Sequence, residues 1–218
     1  MNKREKAGQK SALEGAAKRL AEDGTADYAT IYSQLHRQEK AFTGRSIRVS
    51  VPTIAELVAD LQARMDERYA EARPRLLDYG CGKGWQYLAL RVHEAWGGIL
   101  PHCYDIGVRG LSEPAPAQSF HGVICTDMLE HIAPDDIDGV LADIFSKLVP
   151  SGPAFAHFSI ACRPAKKELP DGRNIHLTVK PPPFWVDRLK PFRRAGLTID
   201  ARFDLESDPV AVTVRMAD

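Results

Sequence analysis

The sequence predicts an α/β protein, a three-layer α/β/α sandwich with a mostly parallel, twisted sheet and an antiparallel last strand. Two observations predict this class. From residue 75 onward, short apolar segments typical of buried strands alternate with amphipathic helical segments, an order typical of parallel strands joined by crossover helices. Two strand-like segments, 197–203 and 210–216, then lie close enough in the chain to form a closing hairpin.

The N-terminal part of the chain is predicted to be helical. A short helix is expected near 28–36, and apolar residues at helical spacing predict a longer one over 52–72. Residues 1–24 are polar, and we expect a solvated arm there. These patterns divide the chain into a helical arm or cap, residues 1–73, and a sheet domain, residues 74–218.

Strands and helices alternate through the sheet domain. Pro101 restricts the second strand to a short or edge position, because proline donates no hydrogen bond to a sheet. A single helix is expected over 85–96, ended by the glycine pair that follows it. The strands are expected within 75–80, 99–106, 120–132, 154–161, 197–203 and 210–216, and the other helices over 137–148 and 182–192.

Charge and cysteine content restrict the classes of function. Lys plus Arg and Asp plus Glu both number 29, so no net charge attracts the chain to nucleic acid or an anionic membrane. The four cysteines form no C-x-x-C pair, and we predict reduced thiols and no metal site. The N-terminus is polar, and no apolar run approaches the roughly 18 residues of a membrane span. We therefore expect a cytoplasmic protein.

Residues 78–84 read DYGCGKG, with three glycines at alternate positions after a short apolar strand. Ligands of parallel sheets bind outside the carboxyl ends of the strands, and glycine there permits positive φ and a close approach of the backbone. A purely structural tight turn needs one or two glycines, so three favour a ligand-binding loop. Trp85 stands where a dinucleotide fingerprint has its third glycine, and the chain has no P-loop motif.

Two carboxylates near this turn indicate the kind of ligand. Asp78 precedes the glycines, where a carboxylate suits a cationic or ammonium-bearing ligand better than a pyrophosphate. Asp105 ends the second predicted strand, about where a carboxylate can accept hydrogen bonds from two ribose hydroxyls. Asp78 and the spacing of the glycines therefore argue against a bound dinucleotide, and Asp105 indicates a ribose.

Two sequence blocks carry a family resemblance. LLDYGCGKG resembles motif I of the class I S-adenosylmethionine (SAM)-dependent methyltransferases, and VICTDMLEHI resembles the motif on and after their fourth strand. AGLTIDARF…VAVTVRM is similar to their closing hairpin, whose last strand runs antiparallel. The resemblance covers about residues 74–216 and implies a Rossmann-like, SAM-binding methyltransferase domain. The blocks LPDGRNIH and IYSQLH are similar, more narrowly, to a group of uncharacterised methyltransferases from bacteria and their phages.

The resemblance also implies which residues contact the cofactor, S-adenosyl-L-methionine. By position, Gly80, Gly82 and Gly84 pass under its methionine portion. Asp78 helps to hold that portion, and Asp105 binds the ribose hydroxyls. The other candidate cofactor contacts, the last three of them beside the adenosine and the sulfonium, are Cys81, Ile106, Asp127, Met128 and Leu129.

One segment departs from the family pattern. The family has a helix and a third strand after the position that Asp105 matches, whereas this chain reaches Phe120 through a short, proline-rich segment. We therefore expect a shortened region after strand 2, with a loop or a truncated strand in place of these elements.

Three histidines are candidate catalytic residues: His131, His157 and His176. His131 follows the family's fourth strand, where an imidazole suits a general base; a structural role, capping the next helix or pairing with Glu130, is the alternative. His157 is either a ligand-facing residue or a core histidine of its strand.

Candidate acceptor-binding residues come from two segments. The long polar insertion 163–185 follows a strand, where acceptor sites commonly form; its cationic side chains suit a carboxylate or phosphate, and a solvated basic loop is the alternative. The N-terminal aromatic segment could close over the cofactor as a lid, or pack as an ordinary helix. The candidates from the insertion are Lys166, Arg173 and Asn174, and those from the aromatic segment are Tyr32 and His36, with Tyr28 and Phe42 beside them.

The function expected from these observations is methyl transfer from SAM to a small molecule, such as a nucleotide, a sugar or a carboxylate-bearing metabolite. A nucleic-acid methyltransferase is one alternative. Against it, the charge is balanced, no target-recognition domain is added, and no N-P-P-[YFW] tetrapeptide follows the fourth strand. A SAM-binding protein without catalysis is the other alternative. The sequence predicts neither the acceptor atom nor the oligomeric state.

Overall fold

A computed structural model of the chain describes residues 28–37, 42, 45–66, 73–169, 172–205 and 211–217. Within them the protein has an α/β fold, as the sequence predicts. The polar arm expected over 1–24 and the end of the helix expected to reach residue 72 lie outside the described residues. The division of the chain at residue 73 stays a prediction.

A six-stranded sheet forms the centre of the fold, with strand order β2-β1-β3-β4-β5-β6. All neighbouring strands are parallel except β5 and β6, which pair antiparallel as the predicted hairpin. The second strand is short and lies at the sheet edge, as Pro101 predicts. The bounds are β1 Leu76–Tyr79, β2 His102–Tyr104, β3 Gly122–Thr126, β4 Ala154–Ala161, β5 Leu197–Asp204 and β6 Ala211–Met216.

Helices flank the sheet and connect its strands. The α-helices are α1 Tyr28–His36, α2 Val51–Asp66, α3 Trp85–Leu88, α4 Ile137–Ser146 and α5 Pro182–Leu189. Short 3-10 helices span Arg45–Ser50, Val92–Trp96, Leu129–His131, Pro134–Asp136 and Lys190–Phe192. Among the helices of the described residues, none has the length and apolar character that crossing a bilayer requires.

The apolar core divides into two main clusters because side chains alternate along the strands. In β1, Leu77 and Tyr79 belong to one cluster and Leu76 to the other. The first cluster also contains the apolar residues of α4 and α5, and the second contains those of α2 together with Trp96. The helices thereby hold the short β1 strand in a fully buried position, from which the glycine turn emerges.

The prediction of a single helix over 85–96 is wrong. α3 stops at Leu88, Arg91 has a positive φ of 50°, and a separate 3-10 turn runs to Trp96. Residues nine apart lie on opposite faces of a straight α-helix, since nine steps of about 100° make two and a half turns. Tyr87 and Trp96 are both buried in the same cluster, with ring centroids 6.5 Å apart, and one continuous helix could not bury both.

The segment after β2 is short, as predicted. Residues 106–119 are all described, and they contain turns and bends but neither a helix nor a strand. Gly107 packs so closely under α1 that an added Cβ would lie 2.6 Å from the Cβ of Tyr32. The shortened segment therefore leaves room for α1 beside the carboxyl end of β2.

Candidate functional site

The carboxyl ends of β1, β2 and β3 open into a cavity of about 460 Å³. The chain runs from β1 to β2 on one side and then returns past β1 to β3 on the other, so the strand order reverses at β1, and α/β proteins bind ligands at such a switch point. The glycine turn, the segments after β2, β3 and β4, and α1 line the cavity. Its volume falls within the range of ligand-binding pockets, roughly 300–1,000 Å³.

The glycine turn after β1 needs glycine for two separate reasons. Gly80 and Gly82 have φ values of 80° and 59°, which side chains strongly disfavour. An added Cβ at Gly80 would also meet the side chain of Met128 from the neighbouring strand end. The backbone N–H groups of Gly80 and Cys81 both donate to the Tyr104 carbonyl, at 2.8 and 3.1 Å, so the turn is fixed to β2.

Asp105 connects the end of β2 to this turn. Its Oδ2 accepts the backbone N–H of Gly82 at 2.8 Å, and its Oδ1 accepts that of Gly107 at 2.9 Å. The Nε2 atom of His36, on α1, lies 3.3 Å from Oδ1. Asp105, Gly82 and His36 all line the cavity. A carboxylate offers about four acceptor positions, so Asp105 has capacity for a further donor, and more if His36 withdraws.

Asp78 lies behind the cavity wall and is buried at the end of β1. Its Oδ2 accepts the amide of Gln86 at 3.0 Å and the hydroxyl of Tyr87 at 2.8 Å, while Oδ1 has no partner among the described residues. Burial raises the pKa of Asp78 to about 6, against the two hydrogen bonds, which lower it. Gln86 also donates to the Cys81 carbonyl, so Asp78 braces the turn through that side chain.

Helix α1, from the N-terminal part of the chain, covers one side of the cavity. The Tyr28 hydroxyl donates to Asp136 and accepts the backbone N–H of Ala133, both at 2.7 Å. The Tyr32 hydroxyl donates to the His131 carbonyl at 3.3 Å. The four aromatic and histidine side chains that the sequence suggests for a lid all line the cavity: Tyr28, Tyr32, His36 and Phe42.

Two histidines meet at the cavity wall. The Nδ1 atom of His131 lies 3.1 Å from the Ile175 carbonyl, and that of His176 lies 2.7 Å from the Arg163 carbonyl. A carbonyl oxygen only accepts, so both Nδ1 atoms donate, and in its neutral form each ring carries its lone pair on Nε2. Burial and, to a smaller extent, the neighbouring His176 lower the pKa of His131 to about 4, so the ring is neutral at pH 7. The ring centroids are 4.9 Å apart.

Glu130 lies directly behind these histidines. Its side chain is fully buried, and Oε1 accepts the backbone N–H of Ala161 at 3.0 Å. Oε2 has no hydrogen-bond partner among the described residues. Burial raises the pKa of Glu130 well above its ordinary value, and the nearby Asp127 adds to this.

Of the substrate residues predicted in the insertion, one lines the cavity and two lie outside its lining. Lys166 lines the cavity, as do Lys167 and Arg163. Asn174 lies outside the lining, where its Oδ1 accepts the backbone N–H groups of Ala165 and His176, both at 2.9 Å. It therefore positions the segment that carries His176. Arg173 also lies outside the lining.

His157 lies apart from the cavity. It faces its register partner Asp200 across β4 and β5, with 2.8 Å between Nδ1 and Oδ2, and both side chains are buried. Burial raises the pKa of Asp200, but hydrogen bonds from His157 and Arg215 outweigh this, and the net pKa is lowered. The pair belongs to the sheet interior, so His157 is not carried into the proposed function.

The predicted cofactor residues mostly converge. Asp78, Gly84 and Leu129 lie outside the cavity lining, and the seven others are in it: Gly80, Cys81, Gly82, Asp105, Ile106, Asp127 and Met128. Several lining residues are missing from the sequence-based set, although Tyr79 and Tyr104 stand beside predicted residues at the ends of β1 and β2. Their rings pack 4.9 Å apart. Gln86 also lines the cavity, and its place in the first helical turn after the glycines could have indicated this.

Comparison with models of protein families, with curated proteins and with solved structures gave no match for this chain. The chemistry of the site is therefore argued from its own residues. It combines a glycine turn tied to a carboxylate, two imidazoles and several cationic side chains around one covered cavity. Such a set can hold a nucleoside-containing ligand and place a second small molecule against it.

Proposed function

We propose that this chain is a class I SAM-dependent methyltransferase acting on a small-molecule acceptor, such as a nucleotide, a sugar or a carboxylate-bearing metabolite. One observation carries the proposal: Asp105, at the end of β2, is hydrogen-bonded to Gly82 of the turn after β1, and both line a cavity at the switch point of the sheet. This is where a ribose-binding carboxylate and a cofactor-binding turn need to meet.

The residues of the cavity fit SAM. Gly80 and Gly82 have no side chains to obstruct a ligand, and Asp105 retains acceptor capacity for one ribose hydroxyl, and for both if His36 withdraws. Asp127 carries a carboxylate on the cavity wall, which suits an ammonium or sulfonium group. When bound, SAM supplies an electrophilic methyl group on a positively charged sulfur.

The contribution of the protein to methyl transfer is expected to be mainly positional. Holding acceptor and methyl donor in line within one cavity supplies much of a rate enhancement without acid–base chemistry. His131 and His176 present lone pairs on the wall, and Lys166 offers a positive charge for a carboxylate or phosphate. Helix α1, which is held over the site by hydrogen bonds of Tyr28 and Tyr32, would limit the access of water to the reacting groups.

The cover supports a small acceptor over a nucleic acid. Tyr32, Phe42 and His131 form mutual edge-to-face contacts, with ring centroids between 5.7 and 6.0 Å apart. A polynucleotide would have to displace this aromatic cluster, whereas a small molecule fits beneath it. The balanced charge of the chain points the same way.

We also propose the three-layer α/β/α sandwich as the finer description of the fold. Support comes from the two core clusters, in which α4 and α5 contact one set of alternate strand residues and α2 the other. Alternate residues of a strand face opposite sides of a sheet, and helices on both sides follow from this.

Transfer of a labelled methyl group tests the function. The purified chain is incubated with tritiated-methyl SAM and a fractionated cell extract, with and without nuclease and protease treatment. The proposal expects label in a small-molecule fraction that survives both treatments. Label lost with nuclease identifies a nucleic-acid acceptor instead, and a folded chain that binds SAM but labels no fraction indicates binding without catalysis.

A further inference from the structure

We propose that Glu130, His131 and His176 form a binding site for a divalent transition-metal cation in the wall of the cavity. Each of the three side chains offers one ligand atom, and these atoms all lie within 4.8 Å of one another. All three residues are buried. Two imidazole nitrogens and one carboxylate oxygen are a recurrent donor set for such cations in proteins.

The two imidazoles are held as metal-ligating histidines commonly are. Metal-bound histidines usually donate their second ring N–H to a backbone carbonyl or a carboxylate, which fixes the tautomer and the ring orientation. His131 donates through Nδ1 to the Ile175 carbonyl, and His176 donates through Nδ1 to the Arg163 carbonyl. Both Nε2 lone pairs are therefore available to a cation.

Hydrogen bonds fix the two segments that carry these ligands to each other. The backbone N–H of Thr178 donates to the Glu130 carbonyl at 3.0 Å, and its hydroxyl donates to the Ile132 carbonyl at 2.7 Å. Asn174 braces the His176 backbone from the other side. His176 is far in the chain from the adjacent pair Glu130 and His131, and this network sets its position relative to them.

The buried carboxylate of Glu130 is a second, independent indication of a bound cation beside the histidine pair. Its Oε1 is occupied by the Ala161 N–H, while the buried Oε2 receives no hydrogen bond of acceptable geometry among the described residues and has the Asp127 carboxylate as its neighbour. A buried carboxylate oxygen without a partner is costly, and such groups call for an explanation. A cation shared with His131 and His176 would give Oε2 that partner.

The donor set selects the kind of ion. Imidazole nitrogen suits Zn²⁺, Fe²⁺ or Co²⁺, whereas Mg²⁺ and Ca²⁺ prefer sites built from oxygen alone. Three protein ligands leave at least one coordination position for another molecule. Because His131 and His176 line the cavity, that position is open to a ligand in the cavity.

The role of the ion, unlike its binding, rests on the proposed methyl transfer. An acceptor hydroxyl bound to the cation loses its proton to solvent more readily than free hydroxyl does. The acceptor oxygen then donates a lone pair to the methyl carbon, the carbon–sulfur bond breaks, and its electrons remain on sulfur, which becomes a neutral thioether. The cation returns to its starting state.

Cobalt binding to the full-length chain tests the site. The purified protein is treated with a chelator, exchanged into Co²⁺ and freed of unbound ion, and the visible absorption and the metal content are measured. We expect one ion per chain and a visible band without the near-ultraviolet charge-transfer band of a thiolate ligand. Absence of a bound ion, or a thiolate band from the cysteines, overturns the proposal.

Variants locate the ion. His176→Ala and Glu130→Gln should each lose at least about tenfold in Co²⁺ affinity, the scale on which single groups around metal sites act. His102→Ala, a matched change at an exposed histidine of the edge strand, should bind as the unaltered chain does. Circular dichroism checks folding, and if Glu130→Gln is unfolded, His176→Ala and the cobalt spectrum decide. Unchanged affinity in folded His176→Ala contradicts the site.

Calorimetry with SAM on the same samples separates this proposal from the proposed function. Cobalt binding without SAM binding leaves the metal site standing and removes its role in methyl transfer. SAM binding in a chain that holds no cobalt leaves the proposed function standing and overturns the metal site.

Discussion

Asp105 accepts the backbone N–H of Gly82 at 2.8 Å and thereby joins the end of β2 to the glycine turn that follows β1. The two residues are 23 positions apart in the chain, and they meet because β1 and β2 are parallel neighbours in the sheet. The contact turns a flexible glycine segment into a defined wall of the cavity. The predictions below concern this turn, the helix that covers it and the groups buried around it.

Gly80 combines an unfavourable φ with a close neighbour, and the two effects can be separated. Gly80→Ala should lower the free energy of unfolding by about 1–2 kcal/mol through its positive φ, and by about 1–3 kcal/mol more through the contact with Met128. Gly110→Ala is the matched control, because Gly110 also has a positive φ but has open space around its Cβ position. Equal losses in denaturant unfolding would show that the Met128 contact is unimportant.

Gly107 tests whether α1 depends on its fit against the segment after β2. An added methyl group at Gly107 would lie within 2.8 Å of His36 and closer still to Tyr32, so Gly107→Ala should displace α1 from the cavity. We expect faster proteolysis within the N-terminal segment of this variant. Gly139→Ala, at a helical glycine with open space around it, should not increase cleavage. If Gly107→Ala is cleaved no faster than the unaltered chain, α1 does not depend on its fit against Gly107, and its role as a cover is contradicted.

Asp78 should make stability depend on pH. Its folded pKa, about 6, lies above the ordinary value of 3.8, so the folded state holds the proton more tightly than the unfolded state. The contribution of Asp78 to the free energy of unfolding is therefore fully present below about pH 4 and is lost as the pH rises through about 6. For a shift of about two pKa units the loss is about 3 kcal/mol at most. Unfolding of the chain and of Asp78→Asn is compared at pH 4 and pH 7. A difference between the two that is the same at both pH values contradicts the assignment.

The His157–Asp200 pair should affect stability and not ligand binding. His157→Ala leaves the buried carboxylate of Asp200 with Arg215 as its one ionic partner among the described residues, and we expect a loss of about 3 kcal/mol in the free energy of unfolding. SAM affinity of the folded variant should stay within twofold, about 0.4 kcal/mol, of the unaltered chain. A clear loss of affinity measured by calorimetry would return His157 to the list of candidates for the site.

Local pattern predicted most of the fold. The apolar run before the glycines, the helical spacing after Pro134 and the paired segments at the C-terminal end each specify an element without help from distant residues. The break in the predicted helix over 85–96 follows instead from burial of Tyr87 and Trp96 in one cluster, which is a tertiary effect. No local pattern contains that information.

The site was predictable where it follows strand ends, and less so where it depends on pairing. Asp105 and Met128 are placed by the sheet, so their positions follow from strand order. His157 has a pattern similar to that of a site residue, and its partner Asp200 becomes visible only when β4 and β5 pair. The grouping of Glu130 with His176 likewise depends on a loop whose path the sequence does not specify.

Binding of SAM tests the central claim most directly. Titration calorimetry of the folded chain with SAM, and with its demethylated product, should give dissociation constants in the micromolar range. Asp105→Ala should weaken this binding by about 1–3 kcal/mol because a buried charged acceptor is lost, whereas Asp187→Ala, at an exposed carboxylate paired with Lys190, should not change it. A folded chain that binds neither compound contradicts the account, and SAM binding that Asp105→Ala leaves unchanged contradicts the ribose assignment.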